Sequence, residues 1–392
     1  MPSPLGRVAP KGPGEVRYTL LRLLHFGESV LRQDLIRPCR AACVGAPEGE
    51  LSRRDKRGHP GVSPKGKALS ASTPVCATHR NDIFFWEETV MKHIFIINPA
   101  AGKSDKTAEY TAKIEAACQG LDYEIAVSRF SGDCTRIARA AAKSGEEVRL
   151  YACGGDGTLN EVVAGAAGFD NAAVTAYVGG SGNDFVKIFD DREAFRDLDR
   201  LLDSETAVFD LIDCNADPAI NICCVGLDSR IGAEMVRFKR LPFVSGSLAY
   251  ILSAVVNIFK GISDHYIVDV AGERIDDDLT FVCVANARYY GGGFYAIPDA
   301  QPDDGLLDVL LVKKIHLWQI PGALAKYKAG RYRELGSIAR HIRTDRITVR
   351  CDRDSPVNLD GEIRMARNVQ MKISDRKIRF FYPKGLKFEA ES

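Results

Sequence analysis

Residues 154–161 read Gly154-Gly155-Asp156-Gly157-Thr158-Leu159-Asn160-Glu161, directly after the short apolar run 148–153. The order predicts a buried strand, a glycine turn, and a helix beginning near Thr158. Glycine lets the backbone bend freely and come close to a ligand with no Cβ in the way. The unpaired N–H groups at a helix start, together with its positive end, suit an anion. The chemistry implied is phosphate holding. No Gly-Lys-Ser/Thr follows, so this is not the Walker pattern, and it is not G-x-G-x-x-G either. A plain turn before a capped helix is the bland alternative, but an Asp between glycines followed by Thr, Asn and Glu is too polar for a mere connector.

Two acidic groups lie further along. Asn358-Leu359-Asp360-Gly361-Glu362 puts two carboxylates around a glycine. Asp-Gly is a common hairpin pair; equally, a positioned carboxylate can take the proton from a hydroxyl that attacks a phosphoryl donor. The stretch 298–306, with Gln301, Asp303, Asp304, Gly305 and Leu306, is a surface turn or a loop folded around Mg²⁺ through backbone carbonyls and one carboxylate.

The elements that must position these groups fall into two patterns. Over residues 91–213, apolar runs alternate with helical periods, which implies a parallel sheet with right-handed crossovers. Ligands of such sheets sit outside the carboxyl ends of the strands. Three turns fall there, at 98–103, 154–161 and 179–185, with Ser128 near the end of the second strand. Over residues 214–392, short strands dominate and read as an antiparallel sandwich. The apolar stretch 243–259 reads as a core helix or as a wall of a lipid pocket, and the last strand, 377–382, packs back on the first domain.

Composition narrows the class. Of 392 residues, 45% are apolar and 27% charged, ordinary for a globular protein with two or three domains. Net charge is +1, and residues 1–90 carry 14 Lys/Arg against 9 Asp/Glu, so no global basic field for nucleic acid exists. The eleven cysteines are scattered, without zinc-site spacing, which suits a reducing cytoplasm. Residues 1–90 hold 9 of the 17 prolines and no sustained period, so they read as a disordered extension, or as spurious upstream translation ahead of Met91. They are too charged for a signal peptide or a span.

The set of motifs resembles the bacterial diacylglycerol kinase family of lipid kinases, relatives of sphingosine kinases, over residues 91–385. Gly154 to Glu161 matches the family's G-G-D-G-T-x-N-E signature. Asn98-Pro99-Ala100-Ala101-Gly102 is similar to its N-P-x-[AS]-G turn, and Gly180-Ser181-Gly182-Asn183-Asp184-Phe185 to G-T-G-N-D-F, with Ser181 keeping the hydroxyl. The resemblance implies a three-layer α/β nucleotide-binding domain and a C-terminal antiparallel β-sandwich, with ATP in the cleft between them. It implies that these turns and Ser128 hold ATP. It implies Glu362 as proton acceptor beside Asp360, a structural Mg²⁺ held by Gln301, Asp304 and Leu306, and Asp156, Asp184 and Asp210 around a catalytic Mg²⁺. The lipid substrate, most simply diacylglycerol, would be met by transient peripheral docking on a membrane. Arg237, Lys239 and Arg240, with Lys326, Lys328, Arg331 and Arg333, are candidates for its headgroups, although a solvated helix face explains them as well. An NAD kinase, or a sensor without turnover, is the rival reading, and a homodimer remains open.

Overall fold

The structure is a computed structural model; residues 91–102, 104–179, 183–238 and 246–388 are described. The expectations for residues 1–90, Lys103, Gly180, Ser181, Gly182, Lys239, Arg240 and the Arg237 side chain lie outside that set.

The first layer set begins with β1 (Lys92–Ile97), helix α1 (Thr107–Ala117), β2 (Tyr123–Val127), α2 (Asp133–Ala142), β3 (Val148–Gly154), α3 (Asp156–Ala166) and β4 (Ala172–Val178). β1 pairs in parallel with both β2 and β3, and β3 with β4. β4, Ala-Ala-Val-Thr-Ala-Tyr-Val, is buried at every position. That is the signature of a strand covered on both faces, so its apolar side chains run continuously instead of alternating. A short helix α4 (Leu198–Leu202) then leads to β5 (Ser204–Phe209).

The chain next builds β6 (Ile212–Cys214), β7 (Asp217–Ala219) and β8 (Ile222–Gly226), followed by helices α5 (Leu227–Phe238) and α6 (Gly246–Lys260). Strands β9 (Asp264–Val270), β10 (Glu273–Ala285), β11 (Tyr289–Tyr290), β12 (Phe294–Tyr295) and β13 (Leu307–Lys313) come after them. Helix α7 (Ile320–Lys328) precedes β14 (Ala339–Thr344), β15 (Arg346–Leu359) and β16 (Glu362–Ile373). All strands of this sheet pair antiparallel. The path is β14-β13-β10-β8-β15-β16-β6-β7, with β9 joined to both β10 and β15. β10 and β15 are long; each pairs with β9 over its first part and with β8 over its last. The sheet thereby folds over a core that includes Val225, Val268, Val282, Val349 and Val369. Burying such β-branched side chains contributes about 1.5–3 kcal/mol each.

The last strand, β17 (Ile378–Pro383), leaves this sheet and enters the first one between β4 and β5. There Phe380 and Phe381 are fully buried, and Phe380 stacks on Phe209 with ring centroids 5.6 Å apart. The two sheets are therefore stitched by chain crossings in both directions. Among the described residues, no helix is long and apolar enough to cross a membrane.

Candidate active site

The parallel register brings the carboxyl ends of the strands level. Ile97 lies opposite Val127 and Cys153, and Gly154 opposite Val178. Asn98, Ser128, Gly154 and Gly179 therefore stand along one edge. Gly155 is extended, with φ −108° and ψ −166°, so α3 starts at Asp156 and not near Thr158 as the spacing suggested. Only Gly155 separates the strand from the helix, and Gly157 belongs to the helix. Gly154 is required where it stands: a Cβ there would lie 2.3 Å from Thr158 Oγ1. That hydroxyl accepts a hydrogen bond from Asn98 Nδ2 at 3.1 Å. Asn98 in turn folds its own loop, its Oδ1 accepting from Ala100 N–H and its carbonyl from Ala101 N–H. Pro99 lies within this turn, and Gly102, at φ +88°, ends it in the left-handed region. No side chain caps the first turn of α3, which leaves its N–H groups for an anion.

Three acids from both sheets meet beside this edge. Asp156 accepts the backbone N–H groups of Asn183 at 3.1 Å and Asp184 at 2.5 Å. Its carboxyl is held above the usual range, by burial first and then by the like charge of Asp184. Asp184 pairs with Lys187 and accepts Gly292 N–H at 2.7 Å, a bond that ties the loop after β4 to the β11–β12 hairpin. Asp360 sits at φ +47° in the tight turn between β15 and β16, so the hairpin reading of Asp-Gly is correct locally. Its carboxylate nevertheless points back, accepting N–H groups from Ile220 (2.8 Å), Asn221 (3.2 Å) and Ile222 (2.7 Å). Burial pushes this carboxyl up to about 7 against those three donors. Asp156, Asp184 and Asp360 line one cavity of about 400 Å³, whose apolar walls include Leu159, Phe185, Ile222, Met235 and Ile363.

Other expected residues are placed elsewhere. Glu161 does not face the cavity. Its Oε1 and Oε2 accept the N–H groups of Gly132 (3.0 Å) and Cys134 (3.2 Å), so it caps α2. Asn160 is buried, its Oδ1 without a hydrogen-bond partner. Glu362 lines a separate polar groove beyond the Asp360–Gly361 turn, with Gly132, Thr135 and Asn160, and Arg364 Nη2 donates to its Oε2 at 2.7 Å. Asp210 does not join Asp156 and Asp184. It accepts Gly305 N–H at 2.8 Å and pairs with Lys377 at 2.8 Å, because β5 delivers it to the 298–306 loop. Among the described residues, α5 lines the cavity through Asp228, Gly232 and Met235; residues 243–245 and the side chains of 246–251, part of the stretch expected as a core helix or pocket wall, lie outside the described set.

Sequence reasoning overlooked Asp228. It opens onto the cavity, hydrogen-bonded with Asn358, Cys224 and Tyr290, and burial pushes its carboxyl up to about 6. One Asp after an apolar run carries no signal until the fold brings it to the same cavity as Asp184. Lys187 was missed for the same reason.

The acids of the cavity fit Mg²⁺ in kind: they are hard oxygen donors crowded by like charge, which a dication would relieve, although each already has protein partners. In the 298–306 loop the Asp304 carboxylate is already engaged, by Arg343 and by Leu306 N–H at 3.0 Å. Among the described residues, no group of three or more His, Cys, Asp or Glu side chains is arranged to hold a metal ion. The basic cluster is also internally engaged: Lys326 and Arg331 reach Glu334, and Arg333 reaches Asp299.

Two family matches cover most of the described chain. Residues 92–214 match the diacylglycerol kinase catalytic domain, and residues 221–382 match the YegS C-terminal NAD kinase beta sandwich-like domain. A Staphylococcus epidermidis protein named "Putative lipid kinase" is 25% identical over 277 residues, which is 69% of this chain and 89% of that protein. A Staphylococcus carnosus protein of the same name is 22% identical over 298 residues, 74% of this chain and 96% of its own length. A crystal structure of a diacylglycerol kinase from Bacillus anthracis shares the fold, with a TM-score of 0.53 at 20% identity, covering 75% of this chain and 97% of that one.

Proposed function

From a chain that belongs to the bacterial diacylglycerol kinase family of lipid kinases, we infer an ATP- and Mg²⁺-dependent enzyme that moves the γ-phosphate of ATP onto a lipid hydroxyl. Diacylglycerol is the proposed acceptor and phosphatidic acid the product. The observation that carries this reading is the cavity where Asp156 and Asp184 of the first sheet meet Asp360 of the second against apolar walls. A charged phosphoryl donor and an apolar acceptor need that combination at one place.

The edge formed by Asn98 to Gly102, Ser128 and the start of α3 receives the phosphates: the first loop is preformed by its own hydrogen bonds, and the uncapped N–H groups of the first turn of α3 are the donors. Asp156 and Asp184 would hold the metal, and Asp360 fixes the turn that presents Glu362. When bound, Mg²⁺ supplies neutralisation of the charge that builds on the transferring phosphoryl group. Glu362 takes the proton of the acceptor hydroxyl as its oxygen bonds to phosphorus and the bond to the leaving diphosphate breaks. The acceptor is a membrane component, so the enzyme works by transient contact with the cytoplasmic membrane face.

The test is transfer from γ-labelled ATP with Mg²⁺ into a total lipid extract, with Glu362→Gln alongside and NAD as a separate acceptor. A labelled lipid made only by the wild type supports the reading, and its mass names the substrate. Label in NADP would replace it with the NAD kinase reading. ATP binding without any transfer would favour a sensor.

A further inference from the structure

Resting on that kinase reading, we propose that Arg364 is the positioning residue of the proton acceptor, holding the Glu362 carboxylate in its working orientation. Residues two apart on a strand share a face. Glu362 and Arg364 open β16 in that relation and both line the polar groove, while Ile363 between them also reaches the apolar cavity. Arg364 Nη2 donates to Glu362 Oε2 at 2.7 Å, and its Nε reaches Asp217 Oδ2 at 3.4 Å. Asp217 opens β7 and gives the guanidinium a second carboxylate partner.

The other charged groups of this groove are committed elsewhere. The Glu161 carboxylate is taken by two N–H groups of α2. Arg139 donates to the carbonyl of Ala164 at 3.1 Å. Arg376 donates to Asp213 at 2.7 Å and to the carbonyl of Ala216 at 3.2 Å. Among the described residues lining the groove, Arg364 is therefore the cation that reaches Glu362.

The need for it is physical. Glu362 has 31% of its side chain exposed, and a carboxylate on three rotatable bonds at a surface samples many directions. A charge-assisted bond to Oε2 restricts those rotations while leaving Oε1 free to accept a proton. The Asp360–Gly361 turn fixes the backbone, and Arg364 fixes what the turn cannot.

The experiment compares wild type, Arg364→Ala, Arg364→Lys, Glu362→Gln and the double variant Glu362→Gln/Arg364→Ala, with Mg·ATP and dioleoylglycerol in mixed micelles. Folding is verified by circular dichroism and thermal melting. Arg364→Ala should lower kcat about ten- to a hundredfold, the range expected when a reacting group is misplaced. Its KM values should stay within roughly twofold, since ground-state binding is untouched. Low-millimolar guanidinium should restore part of the loss, and Arg364→Lys should keep more activity than Arg364→Ala. With Glu362 already replaced, removing Arg364 should cost nothing more, because the pair acts as one unit.

Full additivity in the double variant would overturn the proposal, as would a raised KM with unchanged kcat. Should Arg364→Ala fail to fold, Arg364→Lys and Arg364→Gln carry the same comparison. A wild type that phosphorylates no lipid would instead remove the kinase reading, and the role of Arg364 with it.

Discussion

The backbone N–H of Asp184 donates to Asp156 Oδ1 at 2.5 Å, so the start of α3 and the loop after β4 are locked together through an acid that is itself half-buried. The two carboxylates repel, and burial together with that repulsion lifts the Asp156 carboxyl. Such a pair costs stability, and the cost is justified only by a cation or by chemistry. Asp156→Asn keeps the shape and one acceptor oxygen while removing the charge. Phosphate transfer should fall by about a hundredfold or more, with urea-unfolding stability unchanged or slightly higher. A large loss of stability with transfer intact would mark Asp156 as a structural group only.

Asp360 gives the protein a pH-dependent stability of definite sign. An unfolded aspartate ionises near pH 4, whereas burial raises the folded group to about 7. Between those values the folded state keeps a proton that the unfolded state has lost. This contribution is complete below about pH 4, declines as the pH rises, and is gone above about pH 7; over the whole interval it is on the order of 4 kcal/mol. Urea titrations from pH 4.5 to 8 should show the decline in wild type and a flatter profile in Asp360→Asn. Equal slopes in the two proteins would place the ionisation elsewhere.

The fold class was legible because each element carries a local signal. β1, β3 and β4 are apolar runs closed by polar or glycine turns, and only a strand buried on both faces needs that pattern. The glycine turn was legible for the same reason: Gly154 and Thr158 are four residues apart, and their contact is intrinsic to a strand-turn-helix. What escaped was decided by distant partners. Glu161 meets Gly132 across 29 residues of chain, so its capping role has no trace in its own neighbourhood. Asp210 separates from Asp156 because β5 lies at the far edge of the sheet, beyond β17, and pairing order is not written in any single strand. Asp228 and Arg364 gain meaning only from the groups the fold sets across from them.

Glu161 separates the signature into a ligand-facing part and a part that holds α2 against α3. Its two oxygens satisfy N–H groups at the start of α2, and its carbonyl accepts from Thr135 Oγ1 at 2.8 Å. Glu161→Ala strips the cap, and the expected loss is about 1–2 kcal/mol. A thermal melt should register it, while ATP affinity, read by calorimetry on the folded variant, should change little. Strong loss of ATP binding with an unchanged melting temperature would instead make Glu161 a direct nucleotide ligand.

Arg343 already supplies positive charge to the loop that the family resemblance assigns to a structural Mg²⁺. It pairs with Asp304 and approaches Asp308 at 3.5 Å, and His341 Nε2 lies 2.7 Å from the same Asp308 oxygen. Asp308 is fully buried, so losing the guanidinium leaves a carboxylate with little but His341 to balance it, and that is destabilising. Arg343→Ala should lower stability by about 1–3 kcal/mol. Asp304 is engaged by protein groups in the wild type, so a chelator should leave the melting temperature of the nucleotide-free enzyme unchanged. The variant has a carboxylate set free for a cation, and its melting temperature should rise with added Mg²⁺. A wild type that melts earlier in chelator, with Arg343→Ala no more responsive to Mg²⁺, would return the loop to a metal and make the arginine incidental.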